Sequence, residues 1–546
     1  MSVDLLDLLL DSCREHPHAP ALSQGRRTLT YRDLDSRIAS VAVSLESAGF
    51  RAGDRVLFSV RPGLDGICLA LGIIAAGGTV VFADPGAGES MFRARAALAD
   101  PSWVAAESVL YLASSWPLRS FARRRGLELP PHSVVVPDAR HIVAGPWLPG
   151  VPRGALRLRA VLAAGPAADD HTTAGPAAGD HGARAGRPPR PSGSEALIIF
   201  TSGTTAAPKA VVHSRGSLGT GLAGFATHVR FVPGDRLLTD QLMIGIPALI
   251  AGAHWRLPAV GTDAGAKPAH YLDVLPGTDA LFMVPAALDS LLALLDEHPE
   301  KTPQLATLLI GGAPVLRPLL ERVKRRWPTV RICAIYGMTE ILPVAIADGD
   351  DKLAFEGPGD YVGTVLPAIR ACIELNAAGD GELVLAGEGL ALGYLADLPG
   401  HPLLCLNTGD LAELDGDSLV LHGRSKDMFI RGSTNVYPGL YEPVISGIAG
   451  VAEVAMVGVP NEIGDDRIVL VIVPRSRGAG ADVARGFGTQ HPMIETVRAA
   501  LPGLVDAAVL PDLLLVAAAL PRAGRSRKLD RAALFEAVSR HLKSGD

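Results

Sequence analysis

The sequence predicts an α/β protein: a large N-terminal domain of parallel-rich sheets with helices, extended by a β-rich subdomain, and a small α+β C-terminal domain. Three observations carry that. The chain has 546 residues, too many for one hydrophobic core. Helix-like and strand-like stretches alternate through residue 345, the rhythm of a mainly parallel sheet with helices on both faces. Beyond residue 363 short Val/Leu/Ile runs with glycine turns take over, and a final segment from residue 427 mixes strands with helices.

In chain order, Thr30-Tyr31-Arg32-Asp33-Leu34 opens an amphipathic helix, and Gly53-Asp54-Arg55-Val56-Leu57-Phe58 leads into a strand. Residues 66–83 are long and uncharged enough to imitate a membrane span. The Gly77-Gly78 break before β-branched Thr79-Val80-Val81 instead divides them into a buried helix, a tight turn and a strand, and no flanking Lys/Arg asymmetry supports insertion. At 164–193 the rhythm stops. Residues 164–171 are nearly repeated at 174–181, and a stretch so rich in Ala, Gly and Pro is expected to be a disordered insertion. His171 and His181 lie in it beside aspartates, but nothing there fixes a coordination geometry, so a solvated repeat is expected. Residues 381–386 typify the β-rich part. The last segment carries strands near 451–459 and 468–474 and helices near 492–501 and 530–543. The expected division is 1–423 and 427–546, with a hinge near 424–427.

Composition narrows the function. Lys+Arg 51 against Asp+Glu 57 gives a net charge of -6, which argues against a general nucleic-acid surface. Five scattered cysteines (Cys13, Cys68, Cys333, Cys372, Cys405) form no C-x-x-C pair, suggest neither a zinc site nor a disulfide framework, and fit a reducing cytoplasm. The opening Met-Ser-Val-Asp-Leu-Leu-Asp lacks the basic start and apolar stretch of a signal peptide. A cytoplasmic protein without a membrane span is expected.

Residues 197–209 read Leu-Ile-Ile-Phe-Thr-Ser-Gly-Thr-Thr-Ala-Ala-Pro-Lys, a buried strand running into a polar loop. Thr201, Ser202, Gly203, Thr204 and Thr205 offer hydroxyls and backbone N–H groups where anionic oxygens can sit, and Lys209 adds a point charge. The bland alternative is a polar turn after a core strand. The loop is not the Gly-x-x-x-x-Gly-Lys-Ser/Thr type. A second strand and turn is Ala334-Ile335-Tyr336-Gly337-Met338-Thr339-Glu340. A third is Leu308-Leu309-Ile310 followed by Gly311-Gly312-Ala313-Pro314, whose glycines allow close backbone approach. Asn407-Thr408-Gly409-Asp410 is expected to end a strand, and Gly423-Arg424-Ser425-Lys426-Asp427 follows it. Near the C-terminus, Pro521-Arg522-Ala523-Gly524-Arg525-Ser526-Arg527-Lys528-Leu529-Asp530 is strongly basic.

In this order, over residues ~20–540, the motifs resemble the adenylate-forming superfamily of acyl-CoA synthetases, peptide-synthetase adenylation domains and luciferases. The resemblance implies that ATP is bound by Thr201, Ser202, Gly203, Thr204, Thr205, Lys209, Gly312, Ala313, Pro314, Tyr336, Gly337, Asp410 and Arg424. Tyr336 would stack on adenine, and Asp410 would accept from both ribose hydroxyls, which suits a carboxylate with two acceptor oxygens. Arg424 would contact ribose or phosphate. Thr339 would contact the α-phosphate and Glu340 would hold Mg²⁺, since a triphosphate needs a hard cation and a carboxylate is its usual protein ligand. Lys528 would touch the substrate carboxylate and the bridging oxygen, although Arg525, Arg527 and Arg531 surround it. Lys426 falls at the hinge about which a mobile small domain turns between two catalytic poses.

The sequence also departs from the pattern. Ala206 stands where the phosphate loop usually has glycine, with Ala207 beside it. Arg215 replaces a common histidine. Gln241-Leu242-Met243-Ile244-Gly245-Ile246-Pro247 replaces an aromatic-His pair beside the acyl pocket, so an aliphatic, uncharged pocket is expected, and no aspartate suits an α-amino group. Ser433 replaces a glycine beside the pantetheine tunnel. Tyr336 to Val344 is close to the form found in β-lactone synthetases, which adenylate a β-hydroxy acid and let its own hydroxyl attack. The expected function is ATP-dependent adenylation of an aliphatic, fatty-acid-like carboxylic acid, with transfer to a thiol of CoA or of an acyl carrier protein. Lactonisation is the alternative within the class, and a non-catalytic adenylate-binding scaffold is the alternative outside it.

Overall fold

The computed structural model describes residues 3–83, 89–114, 132–163, 191–200, 209–259, 268–376, 379–398, 400–431, 434–460, 466–475, 487–505, 509–523 and 528–544. The elements used below are helices α1 (Leu5–Glu15), α2 (Tyr31–Ser47), α3 (Leu64–Ala75), α4 (Arg215–Val229) and α5 (Leu242–Ile250). The strands are β1 (Glu195–Phe200), β2 (Ala210–Ser214), β3 (Arg331–Met338), β4 (Ile341–Asp348), β5 (Gly393–Tyr394), β6 (Leu406–Asp415) and β7 (Ser418–Arg424).

The helix expected at Thr30 forms for a local reason. Thr30 and Asp33 exchange side-chain and backbone hydrogen bonds in a capping box that satisfies two orphan N–H groups of α2. The apolar stretch at 66–83 resolves as a helix, a turn and a strand. Every residue but Asp65 is buried in α3, Gly77 turns the chain at φ +83°, and Thr79–Phe82 is a strand. No helix among the described residues is long and apolar enough to cross a membrane.

Two large sheets organise the chain as far as Arg424. An eight-stranded sheet runs parallel through β1, Thr79–Phe82, Arg55–Ser59, Trp103–Glu107, Arg140–Ala144 and Leu156–Arg157, and β2 and β5 add antiparallel edges. In the thirteen-stranded sheet, strands from Pro20–Gln24 to β3 are parallel, and every neighbour beyond β3 is antiparallel. The β-rich continuation expected as a subdomain is thus hydrogen-bonded into the parallel sheet. The cause is the β3–β4 hairpin: by reversing at Thr339-Glu340 the chain pairs β4 on the open edge of β3, and an antiparallel ladder grows from there.

Packing is close where glycine removes a side chain. A Cβ on Gly219 of α4 would come within 1.9 Å of the Val3 carbonyl oxygen, and one on Gly221 within 2.4 Å of the Leu342 carbonyl oxygen. Helix α4 therefore lies directly against both the N-terminal segment and β4. The strands after Arg424, including Val451–Pro460, Asp466–Pro474 and Leu513–Val516, join neither large sheet among the described residues. The helices Pro492–Ala500 and Arg531–Ser544 lie where the sequence puts them. Cys13, Cys68 and Cys333 are buried free thiols, Cys372 and Cys405 are exposed, and burial pushes Cys13 and Cys68 up to about 12. Residues 164–190, with His171 and His181, lie outside the described residues.

Candidate functional site

Three of the sequence motifs stand at the carboxyl ends of parallel strands, the position where open α/β sheets bind ligands. Gly312-Ala313-Pro314 follows Thr307–Gly311, with Gly312 at φ +84°. Tyr336 and Gly337 lie near the end of β3, and Thr339-Glu340 forms the turn beyond it. Lys209 opens onto β2 just after the loop that leaves β1. That loop, with Thr201, Ser202, Gly203, Thr204, Thr205, Ala206 and Ala207, lies outside the described residues, as does Ser433.

Tyr336, Asp410 and Arg424 come together. The Tyr336 hydroxyl donates to Asp410 Oδ2 at 2.6 Å, and Arg424 Nε donates to Asp410 Oδ1 at 2.6 Å. Asp410 is 3% exposed, whereas the Arg424 side chain is nearly half exposed. Burial, and then the Asp410 charge, raise the Tyr336 hydroxyl well above its ordinary pKa, so it stays a donor. Burial works against the Arg424 charge, but Asp410 outweighs it and the guanidinium pKa rises. The expectation that Asp410 ends a strand is corrected: it lies inside β6, paired with Arg424 of β7. Gly409 at φ +69° and the register shift at Leu411/Ala412 bend the ladder there without ending it. The Asn-Thr-Gly-Asp run has the composition of a turn, and the neighbouring strand overrides it.

The Thr339-Glu340 turn is held from two sides that sequence reasoning missed. His213 Nε2 donates to the Thr339 carbonyl at 2.7 Å, which leaves Nδ1 to pair with Ser217 Oγ at 3.2 Å. Burial lowers the His213 pKa, against the Thr339 bond and the Glu340 charge, so the ring is neutral. On the other side, the Tyr394 hydroxyl donates to Glu340 Oε1 at 2.9 Å, and Lys209 Nζ lies 5.4 Å from the centre of the Tyr394 ring. A histidine directly after the apolar run Ala210-Val211-Val212, within a buried strand, was a legible sign of a buried polar partner. Tyr394 carried no local signal, because its partner is 54 residues away.

His213 gives a pH prediction. Its folded pKa is depressed, so below about pH 6.5 the unfolded chain takes up a proton that the folded chain refuses. Stability is fully present above that value and falls as pH drops through it, by at most ~1.4 kcal/mol per pH unit for one histidine. Urea midpoints measured from pH 7.5 to 5 should fall less steeply in His213→Gln than in the parent. An unchanged slope would remove His213 from this role.

The remaining candidates are spread more widely. Lys528 stands exposed on the two-residue strand Lys528–Leu529, paired with Arg522–Ala523. Arg531 is committed elsewhere, to Glu442 at 2.6 Å and Asp427 at 3.2 Å, while Arg525 and Arg527 lie outside the described residues. Lys426 belongs to the short turn Ser425–Asp427 that leaves β7. Arg215 is a buried partner of Asp4 at 2.7 Å and serves the N-terminal helix. Leu242, Met243 and Ile246 of α5 close a small all-apolar cavity against Leu5, Leu71 and Phe82. Among the described residues no three His, Cys, Asp or Glu side chains gather into a metal site.

The AMP-binding enzyme family model matches residues 9–395, most of the chain. The chain belongs to the AMP-binding enzyme family. Its relatives include an indoleacetate–CoA ligase of Aromatoleum aromaticum, 30% identical over 51% of this chain and 57% of that one. A feruloyl-CoA synthase of an Amycolatopsis species is 26% identical over 84% of this chain and 87% of its own length. The chain thus spans little more than half of the first relative and most of the second. Among solved structures, ATP-bound MatB from Rhodopseudomonas palustris superposes with a TM-score of 0.75 at 22% identity, covering 99% of both chains. At that identity the likeness shows the fold of this AMP-binding family member, a large N-terminal and a small C-terminal portion in one chain.

Proposed function

We propose that the chain uses ATP to adenylate an aliphatic, fatty-acid-like carboxylic acid, releasing pyrophosphate, and then passes the acyl group to a thiol of CoA or of a carrier protein. The observation that carries this is the gathering of Tyr336, Asp410 and Arg424 beside the Thr339-Glu340 turn, where parallel strands end. Tyr336 and the Gly312-Ala313-Pro314 turn would flank adenine. Asp410, fixed by Tyr336 and Arg424, would face the ribose diol, and the 201–205 hydroxyls with Lys209 would hold the polyphosphate. A substrate carboxylate oxygen attacks the α-phosphorus, the bond from that phosphorus to the bridging oxygen breaks, and pyrophosphate leaves with the electron pair. Cations placed where that charge collects lower the barrier, the role assigned to Lys528. In the second step the thiol sulfur attacks the acyl carbonyl, its proton is lost and AMP departs.

The donor set fits Mg²⁺, which is commonly bound by one or two carboxylates plus substrate phosphates and water. Glu340 would hold the ion, which when bound neutralises phosphate charge. Residues 427–546 would turn about Lys426 to bring the thiol to the carbonyl.

Acid-dependent ATP–pyrophosphate exchange across fatty, β-hydroxy and aryl acids, with and without CoA, tests the proposal. Exchange with aliphatic acids and thiol-dependent AMP release are expected. No exchange with any acid would leave a binding or scaffold protein, and AMP release without thiol from β-hydroxy acids alone would indicate lactonisation. Asp410→Asn should weaken ATP binding about 10–100-fold by calorimetry, the worth of hydrogen bonds to a charged acceptor.

A further inference from the structure

Tyr394 stands between two groups that the proposed adenylation needs. Its hydroxyl donates to Glu340 Oε1 at 2.9 Å, and the Lys209 ammonium lies 5.4 Å from its ring centre. The two groups arrive from different places, Lys209 from the loop before β2 and Glu340 from the β3–β4 turn. A lysine or glutamate side chain left alone keeps several free torsions, and ordering it during binding is unfavourable. Tyr394 is itself anchored by backbone. It pairs with Val211 of β2, while Leu392 N–H donates to the Val212 carbonyl and Leu395 N–H to the Ala210 carbonyl.

We propose that Tyr394 is a positioning residue that aims the Glu340 carboxylate at a divalent cation and the Lys209 ammonium at the polyphosphate, using its hydroxyl for one and its ring face for the other. This rests on the ATP proposal above. With Oε1 taken by the phenol, the carboxylate plane is set, and Oε2, which has no hydrogen-bond partner among the described residues, is the oxygen left for a cation. The ring face attracts the ammonium electrostatically and restrains its swing. If Tyr394 served only to pack β5 against β2, its hydroxyl would have no influence on metal dependence.

Calorimetric titration of ATP, once with Mg²⁺ and once with EDTA, into the parent protein, Tyr394→Phe and Tyr394→Leu separates these roles. Tyr394→Phe keeps the ring and the backbone ladder and removes only the donor. It should weaken Mg²⁺-ATP binding by about 10-fold or more, the usual effect of losing a partner of a metal-holding carboxylate. Binding of metal-free ATP should stay within a factor of two of the parent on the same grounds. Tyr394→Leu should in addition weaken metal-free ATP binding ~2–5-fold through loss of the ring under Lys209. Equal Mg²⁺-ATP affinity in Tyr394→Phe and the parent, or equal losses with and without Mg²⁺, would overturn the proposal even if Tyr394→Leu fails to fold. A parent protein that binds ATP in neither condition would instead overturn the ATP reading, and this proposal with it.

Discussion

Replacing Lys528 with alanine is expected to slow acid-dependent ATP–pyrophosphate exchange by about 10²–10³-fold, the loss typical of one group that stabilises transition-state charge. Transfer from supplied acyl-AMP to thiol should stay within a few-fold of the parent, because no charge then moves onto pyrophosphate. The described neighbours cannot substitute for Lys528. Arg522 is paired with Glu453 at 2.5 Å, and Arg531 is held by Glu442 and Asp427. Moving either would leave a carboxylate unpaired. Single-turnover assays of the two half-reactions give the readout, and an equal fall in both would assign Lys528 to folding or closure instead. Among the described residues of the basic run, Arg522 and Arg531 are bound to carboxylates, and Lys528 is exposed on a short hairpin.

The second large effect concerns stability. Arg215 and Asp4 form an ion pair whose side chains are 9% and 8% exposed, with Arg215 Nη2 donating to Asp4 Oδ1 at 2.7 Å. The same Asp4 oxygen accepts from the N–H groups of Leu6 and Asp7 and so caps α1. Removing one member of a buried pair strands the other charge, and Arg215→Met is expected to destabilise the protein by about 3–5 kcal/mol. Asp4→Asn with Arg215→Met keeps a capping oxygen while removing both charges, and should recover more than half of that loss. Urea unfolding of the single and double variants measures it. Additive losses would show that the two residues do not act as a pair. Arg215, which departs from the expected motif, has a structural purpose as the buried partner of Asp4.

Much of the architecture was legible from local chemistry. The Thr30/Asp33 capping box, the buried α3 followed by Gly77, and the β-branched apolar runs near 451–459 and 468–474 are settled by neighbours in the sequence. The site was legible in its types more than in its contacts. Tyr336, Glu340, Asp410 and Arg424 stood out as motif residues, yet nothing local says that the Tyr336 phenol takes one Asp410 oxygen and Arg424 the other. His213 and Tyr394 were overlooked because their partners lie 126 and 54 residues away. Asp410 was misplaced for the opposite reason: a Gly-Asp pair has the chemistry of a turn, and pairing with β7 keeps it in a strand.

By itself the sequence determined the α/β class and the identity of the charged groups, since these follow from residue type, spacing and periodicity over a few residues. Only the tertiary structure decided which partners the charges meet. Packing of elements far apart in the chain sets Arg531 against Glu442, Arg215 against Asp4 and Tyr394 against Glu340, and burial fixes what each contact does. A chain states what its side chains are locally, whereas what they touch depends on contacts that close through space.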